Sequence, residues 1–172
     1  VGSEMCIRDR QLAVGDILSL GWRVIVGVIL VVTLSILGTL AMARALGISR
    51  PLSILIACGF SICGAAAVAG VEDIADADEE EVATAIALVV LFGTLMIPLA
   101  PLAAHAMGMG ESAGGTWIGA STHEVAQVVA AAGAYGASAL SVAVIVKLTR
   151  VVLLAPVAVA LSLAARSRGT LR

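Results

Sequence analysis

Residues 22–43 read WRVIVGVILVVTLSILGTLAMA. After Arg23 the run carries no charge and is almost unbroken Val, Ile and Leu. A helix needs about 20 apolar residues to cross the hydrocarbon core of a bilayer, and this stretch supplies them. Its polar members, Thr33, Ser35 and Thr39, are hydroxyls that can bond back to their own helix. Arg44 closes the run and Arg50-Pro51 comes next. The stretch reads as a transmembrane helix, and it sets the solvent for everything else.

The remainder of the chain agrees. Of 172 residues, 60% are hydrophobic and 13% charged, with a mean hydropathy of +1.10. A soluble domain is about half apolar and about a quarter charged. Aromatics make up only 3%, whereas there are 18 glycines; small residues let helix backbones approach where water cannot drive them together. A net charge of −2 with no basic stripe argues against a nucleic-acid partner. Cys6, Cys58 and Cys63 form no CxxC pair, so neither a disulfide scaffold nor a metal site is expected, and Cys58 and Cys63 read as small core residues. Residues 1–10, VGSEMCIRDR, are polar and match none of the apolar segments after them; they read as a non-native leader, leaving 11–172 as one transmembrane domain.

Four more segments complete the chain. Residues 52–70 are apolar and long enough to span, but Gly59, Ser61 and Gly64 interrupt them, which predicts two half-helices. An acidic stretch with Glu72, Asp73, Asp76, Asp78, Glu79, Glu80 and Glu81 reads as a solvated loop feeding the N-terminus of the next helix, where acids are favoured. Residues 82–104 form a third span, with Pro98 and Pro101 expected to kink its far end. After a loop holding Met107, Gly108, Gly110 and Gly115, residues 116–135 form a second broken segment around Gly119, Ser121 and Thr122. Residues 137–165 form the last span, apolar except for Lys147 and Arg150. If every segment crosses, Arg44, Arg50 and the terminal Arg166, Arg168 and Arg172 share the cytoplasmic side and the acidic loop lies opposite. A re-entrant hairpin at either break inverts the spans after it.

Ionisable groups at membrane depth are costly and mark functional candidates. His123, Glu124, Lys147 and Arg150 qualify. Lys147 and Arg150 share a helix face, too deep to snorkel, so they must meet acids, backbone carbonyls, or water and an anion. Glu124 is the obvious acid. A helix restarted inside the membrane also exposes N–H groups and a positive dipole end, a ready anion site. The two breaks share a faint pattern: Gly59-x-Ser61 leads to Ala66-x-Val68, and Gly119-x-Ser121 leads to Ala126-x-Val128. Four matches among small residues can arise by chance. His123-Glu124-Val125-Ala126-Gln127 resembles a zinc-protease helix but puts Gln127 where the second histidine is required.

Three stretches carry a family resemblance. Gly59 to Val68 (GFSICGAAAV), Gly119 to Ala131 (GASTHEVAQVVAA), and Ile145 to Val151 (IVKLTRV) with Leu154-Ala155-Pro156 resemble, in order and spacing, the signatures of the YeiH-type family, which carries a sulfate-exporter label. The similarity runs from about Ile17 to Ala165. It implies a prokaryotic inner-membrane protein roughly twice this length, of which this chain is a middle fragment. It also implies inverted repeats with crossed broken helices, one repeat lying mostly outside the chain.

The expected fold is therefore all-α: a polytopic transmembrane helix bundle with about five membrane segments, two of them broken or re-entrant. The expected function is secondary transport of a small anion such as sulfate, without cofactor or enzymatic turnover. Ser61, Cys63, Gly64, Ser121, Thr122, Lys147 and Arg150 are the expected substrate contacts, with His123 and Glu124 as a coupling or ion pair. The expected partners are the lipid bilayer and the anion; coupling to a proton or ion and assembly into a homo-oligomer stay open. Two alternatives also stay open: a membrane-embedded enzyme using His123 and Glu124, and a structural membrane protein with an inert buried ion pair.

Overall fold

The computed structural model describes residues 22–167; the leader stretch 1–10 and the terminal Arg168 and Arg172 lie outside them. Every element among the described residues is a helix. In chain order they are α1 (Trp22–Ala45), α2 (Arg50–Ser61), α3 (Ala65–Ala75), α4 (Glu79–Ala106), α5 (Glu111–Ser121), α6 (Val125–Tyr135), α7 (Ala137–Val152) and α8 (Leu154–Ser167). Three stretches are long and apolar enough to cross a membrane: Ile25–Ala45, Glu79–Ala106 and Ala137–Arg166. The last comprises α7 and α8, which meet at a turn on Leu153. Pro156 explains the turn, because it has no N–H to offer the carbonyl of Val152. By contrast α4 runs unbroken through Pro98 and Pro101.

The helix ends obey their local chemistry. Asp78 caps α4 by accepting from the Glu81 N–H at 2.8 Å, and the Glu81 carboxylate accepts from the Asp78 N–H in return. Asp76 and Gly47 adopt left-handed backbone after α3 and α1, the usual way to stop a helix. The outward faces of α1 and α4 carry Leu30, Leu34, Leu37, Leu91, Phe92 and Leu95 exposed. Such side chains want lipid or further protein around them.

The two broken segments are hairpins. At the first, the Ser49 hydroxyl donates to the Glu81 carboxylate, so the chain enters α2 at the end of the bundle where α4 begins. A 140 Å³ cavity there brings Arg50, Pro51 and Ile54 of α2 against Ile74, Ala75 and Asp76 at the close of α3. At the second, the Tyr135 hydroxyl donates to the Met109 carbonyl, and the Glu111 carboxylate accepts from the Ser138 N–H at 3.0 Å. Both ends of α5–α6 thus lie at the opposite end of the bundle. Of the two arrangements the sequence left open, both broken segments take the re-entrant one, so the acidic loop shares its end with Arg44 and Arg50. Each hairpin consists of two half-helices of 12 and 11, or 11 and 11, residues, each too short to span alone.

The hairpins correspond at a spacing of sixty. Ser61 and Ser121 end the first halves, Ala65 and Val125 begin the second halves, and Ala75 and Tyr135 end them. The faint Gly-x-Ser pattern is the sequence trace of this correspondence. Each hairpin leads into a span, α4 or α7–α8, and the two units enter from opposite ends. An inverted pair of hairpin-and-span units is therefore contained among the described residues.

Helix α5 starts at Glu111, inside the stretch whose glycines predict a loop. Gly115 and Gly119 explain it. A Cβ at either would run into the backbone of Ala139 or Ala143 on α7. The Gly-xxx-Gly and Ala-xxx-Ala stripes let the two helices touch backbone to backbone, the small-residue packing used inside membranes.

Candidate functional site

The hairpin breaks, Ile62–Gly64 and Thr122–Glu124, meet beside α7. A helix that ends inside the protein leaves carbonyls without partners, with the negative end of its dipole facing them. Here α7 supplies what those carbonyls need. Lys147, fully buried, donates from Nζ to the carbonyls of Ile62 (2.8 Å) and Thr122 (3.1 Å). Arg150 donates from Nε to Ser61 O (3.1 Å) and from Nη2 to Phe60 O (3.0 Å) and Ser61 O (2.8 Å). From Nη1 it reaches Ala120 O (2.5 Å), Thr122 O (3.1 Å) and Gly119 O (3.4 Å). A guanidinium has five N–H groups, and all five are directed at carbonyls.

Glu124 does not pair with either cation. Among the described residues its carboxylate instead accepts from the Ala65 N–H at 3.4 Å, at the N-terminus of α3. An acid at the tip of one hairpin thus caps the restarted helix of the other, where the dipole favours negative charge. Gly64 makes the approach feasible. Its φ of +78° is left-handed, and a Cβ there would lie 2.5 Å from the Glu124 Cγ. The expected ion pair is absent because carbonyl ends lie nearer the cations and the α3 N-terminus lies nearer the acid.

The other expected residues fall around this crossing. The Ser61 hydroxyl and His123 Nδ1 are buried and have no hydrogen-bond partner among the described residues. The imidazole of His123 stands edge-on to the ring of Phe60, centroids 4.7 Å apart. Cys63 is a free, buried thiol in the first break. The Thr122 and Ser121 hydroxyls return to Ile118 O at 2.7 and 3.5 Å, so both are engaged within their own helix. His105 lies apart from His123, stacked on Tyr135 with centroids 4.3 Å apart.

Gln127 is more than a missing histidine. Its Oε1 accepts from the Glu124 N–H at 3.1 Å and so caps α6. The sequence holds the signal for this role: an acid with Gln three residues later at a helix start is the capping-box spacing. Across from it, Gly93 of α4 has no room for a Cβ because Gln127 fills the space.

The architecture defines a class: a helical membrane protein in which two opposed hairpins meet on buried cations. The chain belongs to the family described as "Conserved hypothetical protein 698", whose model matches residues 9–171, and this is the YeiH-like family its signatures resembled. It is 55% identical over 159 residues to a UPF0324 membrane protein of Corynebacterium glutamicum, covering 92% of this chain and 46% of that one. It is 39% identical over 142 residues to one of Listeria monocytogenes (83% and 42%), and 37% over 148 to one of Bacillus cereus (86% and 44%). The chain therefore spans less than half the length of the curated relatives it matches. No solved structure matches it.

Proposed function

We propose that the chain is part of a multi-pass secondary transporter of the prokaryotic inner membrane that carries a small anion, with sulfate as the type substrate. The observation that supports this reading is the pair of hairpins entering from opposite ends and meeting at their tips. Irregular backbone at membrane depth persists where it is buried in protein or lines a cavity, and transporters place substrate at such broken helices. Ala66, Val125 and Ala126, in the first turns of α3 and α6, are exposed. Their end of each helix is positive. The Ser61 hydroxyl and His123 Nδ1, without hydrogen-bond partners among the described residues, stand at the same tips. Lys147 and Arg150 add positive charge from behind, although the N–H groups of Arg150 are already engaged. Glu124, seated on one helix N-terminus, is the group an incoming anion would compete with, and a candidate carrier of a coupling proton.

The test is ligand-dependent thermal stability of the complete gene product in detergent, across a panel of inorganic and organic anions. A ligand that binds only the native state stabilises it by RT ln(1 + [L]/Kd), about 2.7 kcal/mol at a hundredfold excess over Kd. Sulfate or a related oxyanion should raise the melting temperature of the wild type, and the rise should shrink in His123→Ala. If no anion shifts the wild type, the anion reading is wrong.

A further inference from the structure

Lys147 and Arg150 each reach both hairpins at once. Lys147 takes Ile62 O from the first tip and Thr122 O from the second. Arg150 takes Phe60 O from the first and Ala120 O from the second. Both pairs of acceptors stand at the sixty-residue spacing that relates the hairpins, so the two side chains sit on the relation between them. Among the described residues, no other side chain donates to the carbonyls of both breaks. Two further observations set the mechanical context. Among the described residues the breaks also touch each other directly, through the weak 3.4 Å bond from Ala65 to Glu124, the approach of the Glu124 side chain to Gly64 and the Phe60–His123 ring contact. The backbone of α5 is pressed against α7 at Gly115 and Gly119, which makes α7 a firm mount.

We propose that Lys147 and Arg150 are a shared latch: positioning residues on α7 that hold both hairpin tips closed through their carbonyl ends, so that the tips open together when the latch is lost. The alternative role expected from sequence, direct contact with an anion, would leave Arg150 an N–H group to spare, and it has none. A carbonyl stripped of a charged donor loses one of the stronger hydrogen bonds in the protein. The proposal bears on transport because coupled tips would present both restarted helices to a substrate in one step. It rests on the transporter reading for that consequence only.

The chain carries its own reporters. Cys63 is in the first break and is 8% exposed; Cys58, one turn earlier on α2, is 1% exposed and serves as a sentinel for unfolding. Ser121→Cys places a second thiol at the end of α5, beside the second tip. The complete gene product is reconstituted in lipid nanodiscs with one thiol at a time, all other cysteines replaced. The labelling rate by a water-soluble maleimide is then read with Arg150 intact and in Arg150→Gln. Labelling at Cys63 and at Ser121→Cys should both quicken by more than about tenfold, while Cys58 stays protected. Acceleration at one tip alone, or at neither, overturns the latch. If Arg150→Gln also exposes Cys58, the variant has opened globally and Arg150→Lys decides. One ammonium cannot serve all five carbonyls, so both tips should still quicken with Cys58 protected. Exposure of Cys58 in that variant too, or protection of either tip, overturns the latch. Because no anion is used, this outcome is independent of the stability screen.

Discussion

At the scale of single residues, the crossing depends on what Gly64 does not have. It needs left-handed backbone and an empty Cβ position beside Glu124. Backbone at φ 78° and ψ −139° costs an ordinary residue about 1–3 kcal/mol before any clash is counted. Gly64→Ala should therefore destabilise the protein by about 2 kcal/mol or more. Gly133 in α6 is the matched control, with ordinary helical backbone and open space around it. Gly133→Ala should be neutral or slightly stabilising, since alanine is the better helix former by about 1 kcal/mol. Thermal melts of the two variants in one detergent would separate them; equal melting temperatures would refute the steric account. Gln127 offers a second residue-level prediction. Gln127→Leu should cost about 1 kcal/mol through the lost cap and crowd Gly93, whereas Gln127→Glu, which keeps an acceptor, should lose less.

At the scale of elements, the α5–α7 contact decides whether the second hairpin can sit where it does. Gly119→Leu should separate the two backbones and pull Ala120 O and Thr122 O away from Arg150. A severe loss of monodisperse protein on gel filtration is the expected readout. Gly27→Leu on α1, where nothing lies within 4 Å of a Cβ, should leave the elution profile unchanged. Pro156 is the other element-level determinant. It interrupts what would otherwise be one helix of 30 residues, Ala137–Arg166, and so sets the direction in which α8 leaves the α7 mount.

At the scale of the whole molecule, the hairpins make a topology that charge counting can orient. The end holding Arg44, Arg50 and Arg166 also holds Glu72, Asp73, Asp76 and the acids at the start of α4. Orientation is set by Lys and Arg, with acids contributing little, so this end should face the cytoplasm. Single cysteines at Ser49 and Asp76 should both be shielded from an impermeant maleimide added outside intact cells, and cysteines at Met109 and Ser138 should both be labelled. If Asp76→Cys and Ser49→Cys label from opposite sides, the first broken segment crosses and the hairpin description fails.

Residues 22–43 and the composition were enough to establish a membrane-embedded helical protein, because apolar length and the scarcity of charge are properties of the chain itself. The two breaks were also legible, since glycine and serine in an apolar run weaken a helix wherever the run is placed. The signature stretches of residues 59–68, 119–131 and 145–156 carried the family. Three things were decided only by the tertiary structure. The breaks are hairpin turns because contacts between residues far apart in the chain, Ser49 with Glu81 and Tyr135 with Met109 among them, bring their ends together. Lys147 and Arg150 face carbonyls and not Glu124, because partner choice depends on which helix end lies within about 3 Å. Gly115 and Gly119 continue a helix where glycine argues for a loop, because close packing on Ala139 and Ala143 outweighs a propensity of about 1 kcal/mol per residue. Periodicity and composition act along the chain, whereas these three outcomes depend on distances between segments far apart in it.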